Sequence, residues 1–536
     1  MSSARVLKPP PDHLGSIATN GAQVRPSGLP RTQRAFLNAV SSLLDYGSAL
    51  IVNFVVTPVL IQALDNSLFG VWKILQQVVD QMAATDGRPT QALKWVIANH
   101  QNSDGPAKRA IVTSACVTYV IYLPFMLLAG AGLVWWSPFL TKVPAEAEAM
   151  VRVTCVLLVL NFILIGVAEL PAAVLRGENQ GYRRMGVAAA LTLAGAALTV
   201  IAARSGLGLI GVASAQVIVA VATGVFFSRL VRQYLPWFGL SRPTVGDVRR
   251  FLGFSNWFFL SVIVNRLLFS TDLVLLGYLT APSVVTTYAV TQFASITTVG
   301  LIGTMVGAMV PGLGGVITLK DHERIAALRS EMTAYAWLLA TVIGTTTLLL
   351  NRSFIRLWVG LDERYAGALP NLLIVLLAVQ LVFVRNHAYV IDLSLMLVRK
   401  ITLGIIAVVI STALAWLLIP SLGITGLCLS LLLGRMVLTV WYPLLVRQYF
   451  GGLPRASERP WVRQGWLRQG IVMVGLFAPA VYLGERVLAD NWLVWVLAAG
   501  TTATAALLAC LLVGFSSAER ARAVRRLQVL TTRGDV

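Results

Sequence analysis

The chain has 536 residues, of which 57% are hydrophobic and 12% charged, and its formal net charge is +20. A soluble domain carries about twice that charged fraction. The apolar residues here run together, as in AIVTSACVTYVIYLPFMLLAGAGLVWW (110–136), so composition excludes a soluble globular protein. It also excludes a membrane β-barrel, whose strands alternate in short segments. Most Lys and Arg lie in short stretches between the apolar runs, the pattern of cytoplasmic loops facing anionic lipid rather than of a nucleic-acid surface.

In chain order, residues 1–33 are polar and rich in Pro, Gly and Ser. They lack the apolar core of a signal peptide and predict a disordered cytoplasmic tail. Fourteen apolar segments follow, at 35–63, 68–98, 110–137, 148–175, 185–203, 208–230, 251–279, 284–312, 334–350, 366–396, 401–419, 424–446, 470–488 and 492–514. Each is long enough, or nearly so, for a helix to cross a bilayer. The second carries Lys73, Asp80, Asp86, Arg88, Pro89 and Lys94. Lipid does not tolerate that load, so this segment either lines a protein interior or wet cavity, or is a short surface helix plus a loop. Cys116, Cys155, Cys428 and Cys510 all fall in apolar runs and read as packing residues. With the four histidines scattered, neither a metal nor a cofactor is expected.

The two tails and the even-numbered connections hold 29 of the 43 Lys and Arg, whereas the odd connections, with Arg486 at the end of the thirteenth segment, hold six. This asymmetry puts both termini in the cytoplasm. The segments also repeat. Residues 207–235 align without gaps on 422–450, sharing Leu207/Leu422, Gly208/Gly423, Gly211/Gly426 and the pentapeptide LVRQY (230–234 and 445–449). IVNFVVTPVLIQAL in the first segment echoes IVNRLLFSTDLVLL in the seventh. Six segments per repeat is an even number, so both halves cross the membrane in the same sense. Transporters built from such repeats hold their substrate between the halves. The expected organisation is a tail (1–33), a six-helix half (34–235), a cytoplasmic linker (236–250), a second half (251–450), a basic Trp-containing interfacial linker (451–469), two further helices (470–514) and a basic cytoplasmic tail (515–536).

Three stretches carry a family resemblance. LIQALDNSLFGVWKILQQV is similar to an L-G-x-x-x-[FY]-G turn, with Asn66 read in place of its glycine. TDGRPTQALKWVIANHQNSD is similar to a D-x-G-x-x-x-A-x-x-[RK]-[YF]-[IV]-A stretch at Asp86 and Lys94. AVLRGENQGYRRMGV, running on to Gly208 and Gly211, is similar to an [LV]-x-G-x-x-[KR]-x…G-x-x-G pattern at Gly177. Over about 35–450 the chain resembles the polysaccharide transporters, the Wzx-like lipid-linked oligosaccharide flippases of the multidrug/oligosaccharidyl-lipid/polysaccharide (MOP) exporter superfamily. The resemblance implies an all-α integral membrane fold in a bacterial cytoplasmic membrane. It further implies a monomer that moves a polyprenyl-pyrophosphate-linked glycan to the outer leaflet by alternating access, in contact with membrane lipids and with glycosyltransferases or a polymerase of the same pathway. The nearest rivals are a lipid II flippase and a drug/cation antiporter of the same superfamily. A membrane glycosyltransferase or ligase is disfavoured because the odd connections are all short.

Such a substrate needs cations at membrane depth, and guanidinium binds phosphate bidentately. Arg266, Arg435 and Arg385 lie near the middles of segments seven, twelve and ten. Their repeat partners differ, with Phe54 matching Arg266 and Ala220 matching Arg435. Arg88 and Asp86 are the central candidates of the first half, whereas Lys73 and Lys94 sit near segment ends and read as anchors. The opposing reading is that the arginines neutralise Asp272 and Asp392. Asp45, Asp80 and Glu169, like those two, are candidates for ion coupling or gating, or for plain ion pairs.

Overall fold

The computed structural model describes residues 31–100, 103–269, 271–304, 322–360, 364–393, 397–449, 460–517 and 520–521. Its regular structure is helical throughout. The first half comprises α1 (Arg31–Gln81), α2 (Pro89–Asn99), α3 (Gly105–Thr141), α4 (Ala145–Ala168), α5 (Leu170–Gly177), α6 (Met185–Arg204) and α7 (Gly208–Tyr234). The second comprises α8 (Val245–Phe269), α9 (Asp272–Leu279), α10 (Pro282–Thr291), α11 (Phe293–Thr304), α12 (His322–Val359), α13 (Ala368–Leu393) and α14 (Leu397–Tyr449). Two more, α15 (Pro460–Gly484) and α16 (Trp492–Ala509), pack against α12.

Among the described residues ten helices are long and apolar enough to cross a membrane, or eleven if the pair α10 and α11, bent by 49°, is one span. The shortfall against fourteen segments has identifiable sources. Helix α14 runs through segments eleven and twelve, and α1 through the first and half of the second. Each changes direction at one non-helical residue, Gly423 (φ 55°) and Asp65 (φ 63°). The Asp65 carboxylate accepts from the Ser67 and Leu68 N–H groups at 2.7 and 3.0 Å, so it caps the continuation of its own helix. Counting back from Phe69 and Gly70, Asp65 rather than Asn66 occupies the glycine position of the turn motif, and the backbone there is left-handed.

The second segment is not one helix. It breaks after Gln81 into a short 3₁₀ turn (Met82–Ala84) and resumes at Pro89. Gly87 and Arg88 have φ of 63° and 53°, and proline disfavours helix at the residue before it. The fourth segment breaks at Glu169, one residue before α5, whose second residue is Pro171. The seventh is divided into α8 and α9. Helix α8 starts at Val245, inside the expected 236–250 linker, and α15 starts at Pro460, taking up the end of the expected 451–469 linker. The expected N-terminal tail lies outside the described residues up to position 30, and so does most of the C-terminal tail.

The two halves share backbone detail. Gly208 and Gly423 have φ of 56° and 55°. A Cβ on Gly211 would overlap Leu207 and press on Ala202 at the end of α6, and one on Gly426 would overlap the Leu418 carbonyl. Each LVRQY is met by an arginine, the first from just before α6 and the second from the opening turn of α14 itself. The Arg183 guanidinium carbon lies 4.0 Å from the Tyr234 ring centre, and Arg399 Nη1 donates to Gln448 Oε1 at 3.1 Å.

The halves touch along one seam. Near one end Gly70 abuts the Pro282 carbonyl so closely that a Cβ would not fit, and Thr286 Oγ1 donates to the Asn66 carbonyl at 2.6 Å. Near the other, Ser255 donates to the Gly87 carbonyl and Tyr122 donates to Asn256 Oδ1. Close approach of small residues is the usual device where lipid removes the hydrophobic drive for helices to associate.

Candidate substrate cavity

Between these contacts α1, α9, α10, α11 and α12 enclose a cavity of about 300 Å³. From α1 it receives Tyr46, Asn53, Thr57, Phe69 and Lys73, and from the second half Gln292, Phe293, Thr297 and Trp358. Its wall is tied across the halves: Tyr46 Oη donates to the Thr297 carbonyl at 2.7 Å, and Trp358 Nε1 donates to the Phe54 carbonyl at 2.6 Å. Phe54 stacks on Trp358 with ring centres 5.7 Å apart and planes 13° apart. Trp492 and Trp495 of α16 complete this aromatic cluster against Phe54 and Phe354.

Among the described residues Lys73 is the one charged residue lining the cavity. Among the described residues it has no ion pair or hydrogen bond, and its ammonium lies 5.4 Å from the Phe69 ring centre. The sequence reading of Lys73 as an end anchor is corrected here. The turn at Asp65 is followed by two helical turns before Lys73, which bring the residue into the wall of the cavity between the halves. A usable signal was present, because Lys73 and Asp80 are seven apart and share one helical face. Lys94 by contrast packs over Trp95 at 6.0 Å and belongs to the contact of α2 with α5.

Beside the cavity the broken second segment meets α8. Arg266 Nη1 is 3.9 Å from Asp80 Oδ2, too far for a hydrogen bond, and both side chains are partly exposed. Arg88 Nε is 3.6 Å from Asp86 Oδ1, and the Arg88 backbone N–H donates to the same oxygen at 3.0 Å. The left-handed turn thus aims a carboxylate and a guanidinium from the first half at a guanidinium from the second. Arg266 is within electrostatic reach of Asp86 and Arg88 as well as Asp80. With Lys73, three cations face two acids.

The three arginines of the second half do not converge. Arg266 turns toward the first half, whereas Arg435 is buried within the second, where its Nη2 donates to the Leu268 carbonyl at 2.6 Å. Arg435 also lies in reach of Asp272, whose carboxylate accepts from Tyr288 Oη at 2.9 Å. Arg385 lies beside Gly303 of α11 and in reach of Arg435. None of the three lines the 300 Å³ cavity. The isolated acids have partners: Asp45 is bonded to Arg184, Glu169 to Arg176, and Asp392 to Lys400 at 2.6 Å. No group of three or more metal-ligating side chains occurs among the described residues.

Comparison with known proteins follows the same lines. The model of the family described as "Polysaccharide biosynthesis protein" matches residues 36–315. No curated protein matches the sequence. Among solved structures the chain is similar to the lipid II flippase MurJ in an inward closed conformation, at TM-score 0.62 and 11% identity, covering 88% of this chain and 98% of that one. It is similar to a MOP superfamily transporter from Pyrococcus furiosus, described as having a binding pocket of reversed polarity, at TM-score 0.55 and 15% identity over 79% and 96%. An inward-facing multidrug-resistance MATE family transporter gives 0.55 and 16% over 80% and 99%. At these identities the likeness is one of fold.

Proposed function

Because the chain belongs to the polysaccharide biosynthesis protein family and has the helical fold of MOP-superfamily transporters, we propose that it is a flippase. Its substrate is a polyprenyl-pyrophosphate-linked oligosaccharide, carried from the cytoplasmic to the outer leaflet of a bacterial cytoplasmic membrane by alternating access. The observation that carries this reading is the cavity between the halves, with Lys73, which has no ion pair among the described residues, in its wall and the loosely held Arg266 beside it. An anionic head group entering from the seam replaces Asp80 as the partner of Arg266. Guanidinium at 3.9 Å from a carboxylate has little to lose in that exchange, since ion pairs of this exposure contribute about 0–1 kcal/mol. Phosphate recovers bidentate geometry with Arg266 and a point charge from Lys73. The aromatic cluster and the polar groups Asn53, Thr57 and Gln292 give the sugar-bearing part mixed surroundings. Arg88 and Asp86 act as the hinge and the local counter-charge.

In this reading Arg435, Asp272 and Tyr288 hold the second half together, and Asp45, Glu169 and Asp392 close ion pairs near the membrane surface. The molecule acts as a monomer, with both termini in the cytoplasm. The test is depletion in the producing cell with analysis of polyprenyl-linked glycans by leaflet. Flipping predicts a lipid-linked intermediate trapped on the cytoplasmic leaflet. Accumulation of lipid II instead would move the assignment to the peptidoglycan precursor, and no accumulation of either would end it.

A further inference from the structure

A second recess, of about 550 Å³, lies away from the cavity where the end of α3 and the start of α4 meet the end of α9. By the expected orientation this is the outer face. It is lined by Trp135, Phe139, Lys142, Glu148, Arg152 and Tyr278 among others. Two of its rings, Phe139 and Tyr278, meet across the halves (5.8 Å) and are flanked outside the recess by Trp136, stacked on Phe139 (6.3 Å, 9°), and by Trp416 of α14 against Tyr278 (5.4 Å). Trp135 is 79% exposed, the most exposed large apolar side chain but one among the described residues. On its lip Arg152 Nη2 donates to Glu148 Oε2 at 3.0 Å, and the same guanidinium lies 6.0 Å from the Trp135 ring centre. Lys142, left-handed at the end of α3, reaches across to the Thr280 carbonyl at 3.1 Å and so ties the two halves at this point.

We infer that this recess is an outer-face saccharide-binding site that takes up the glycan portion of the substrate as it leaves the seam. A sugar ring presents C–H faces for exposed aromatic planes and hydroxyls that both donate and accept. The recess offers flat exposed rings together with a carboxylate acceptor and a guanidinium donor held 3.0 Å apart. An acyl chain finds no such use for three charged side chains. For an anionic lipid head group the recess is weakly built, because Glu148 is paired with Arg152 and leaves Lys142 as the one uncompensated cation among the described lining residues. The rings join the halves in one run of contacts from α3 through α9 to α14, and the charged side chains beside them set the recess apart from a plain interfacial belt of Trp and Tyr. Because the run crosses from one half to the other, relative movement of the halves changes the site.

The inference rests on the proposed glycan substrate, but its test does not require flipping. The full chain is reconstituted in phosphatidylcholine nanodiscs. Binding of free neutral and uronic-acid-containing di- to tetrasaccharides is followed by saturation-transfer NMR. Saturable binding is expected. Trp135→Ala and Glu148→Gln should each weaken it about tenfold, the scale of one lost charged hydrogen bond or aromatic contact. Trp95→Ala, on the opposite face, should leave it unchanged. Both target side chains are exposed, and unchanged melting of the variants checks folding. Absence of saturable binding to every saccharide, or binding lost through Lys73→Ala but not through the recess variants, overturns the inference. A positive leaflet assay with no saccharide binding defeats this site alone, whereas saccharide binding without any trapped lipid-linked glycan defeats the flippase reading and leaves the recess standing.

Discussion

The two halves are alike where they turn and unlike where they are charged. Gly208 and Gly423 share a positive φ, Gly211 and Gly426 each leave no room for a Cβ against the residues just before the bend, and an arginine meets each LVRQY. Against that common frame Phe54 stands in an aromatic cluster where the echo in the second half has Arg266, and the fully buried Ala220 stands where it has Arg435. The repeated positions make the bends and closures that any such half needs. The unrepeated ones separate again into two kinds: Arg435 is absorbed by its own half, whereas Arg266 reaches for the other.

That separation can be broken most sharply at Arg435. Its head group is buried, donates to the Leu268 carbonyl and lies within electrostatic reach of Asp272, so Arg435→Ala removes a buried charged hydrogen bond and a nearby cation. Loss of a hydrogen bond to a charged group costs about 1.5–3 kcal/mol, and the uncompensated buried carboxylate adds to it. Denaturation of the purified protein should show it as a large loss of stability, and a near-neutral result would mean that Arg435 is not structural. Next come the glycines. Gly211→Ala and Gly426→Ala each force a Cβ into its neighbour, into the Leu207 side chain in one case and the Leu418 carbonyl in the other. Overpacking costs about 1–3 kcal/mol. The second should be the more harmful, because a backbone oxygen cannot rotate away, and thermal melting of the two variants side by side gives the order.

Much of this fold was legible in hydropathy, because a bilayer imposes length and polarity on every span. The breaks were less so. Gly87, Arg88 and Pro89 stand adjacent in the sequence, yet apolar periodicity on both sides reads straight through them, and only the backbone shows two left-handed residues in succession. The site was half legible. Charge at membrane depth singled out Arg266, Arg88, Asp86 and Asp80, but which arginine faces which half depends on helix rotation, which one sequence does not encode in any short pattern. Lys73 was missed for a related reason. Its depth follows from where Asp65 bends the chain, and an aspartate is an unusual residue to hold φ 63°.

The weakest expected stability effects sharpen the comparison furthest. Arg266→Ala removes a partner 3.9 Å from Asp80, with both side chains partly exposed, and should change stability by less than about 1 kcal/mol. Under the flippase reading it should nonetheless abolish most transport, whereas Arg435→Ala loses transport only in step with folding. Leaflet analysis and melting curves measured on both variants separate the two. If Arg266→Ala unfolds the protein as Arg435→Ala does, the distinction between a cation kept by its half and one shared between halves disappears. At the pentapeptides the expected effects are smaller still. Arg183→Ala gives up a cation–π contact with Tyr234, worth about 0.5–1 kcal/mol at an exposed site. Arg399→Ala gives up an exposed hydrogen bond to Gln448, and exposed contacts of this kind lie at about 0.5 kcal/mol or below. Both should melt slightly lower with transport intact. Such paired, modest losses are what a repeat contributes when its conserved-looking motif closes helix ends and leaves the substrate to the residues that differ.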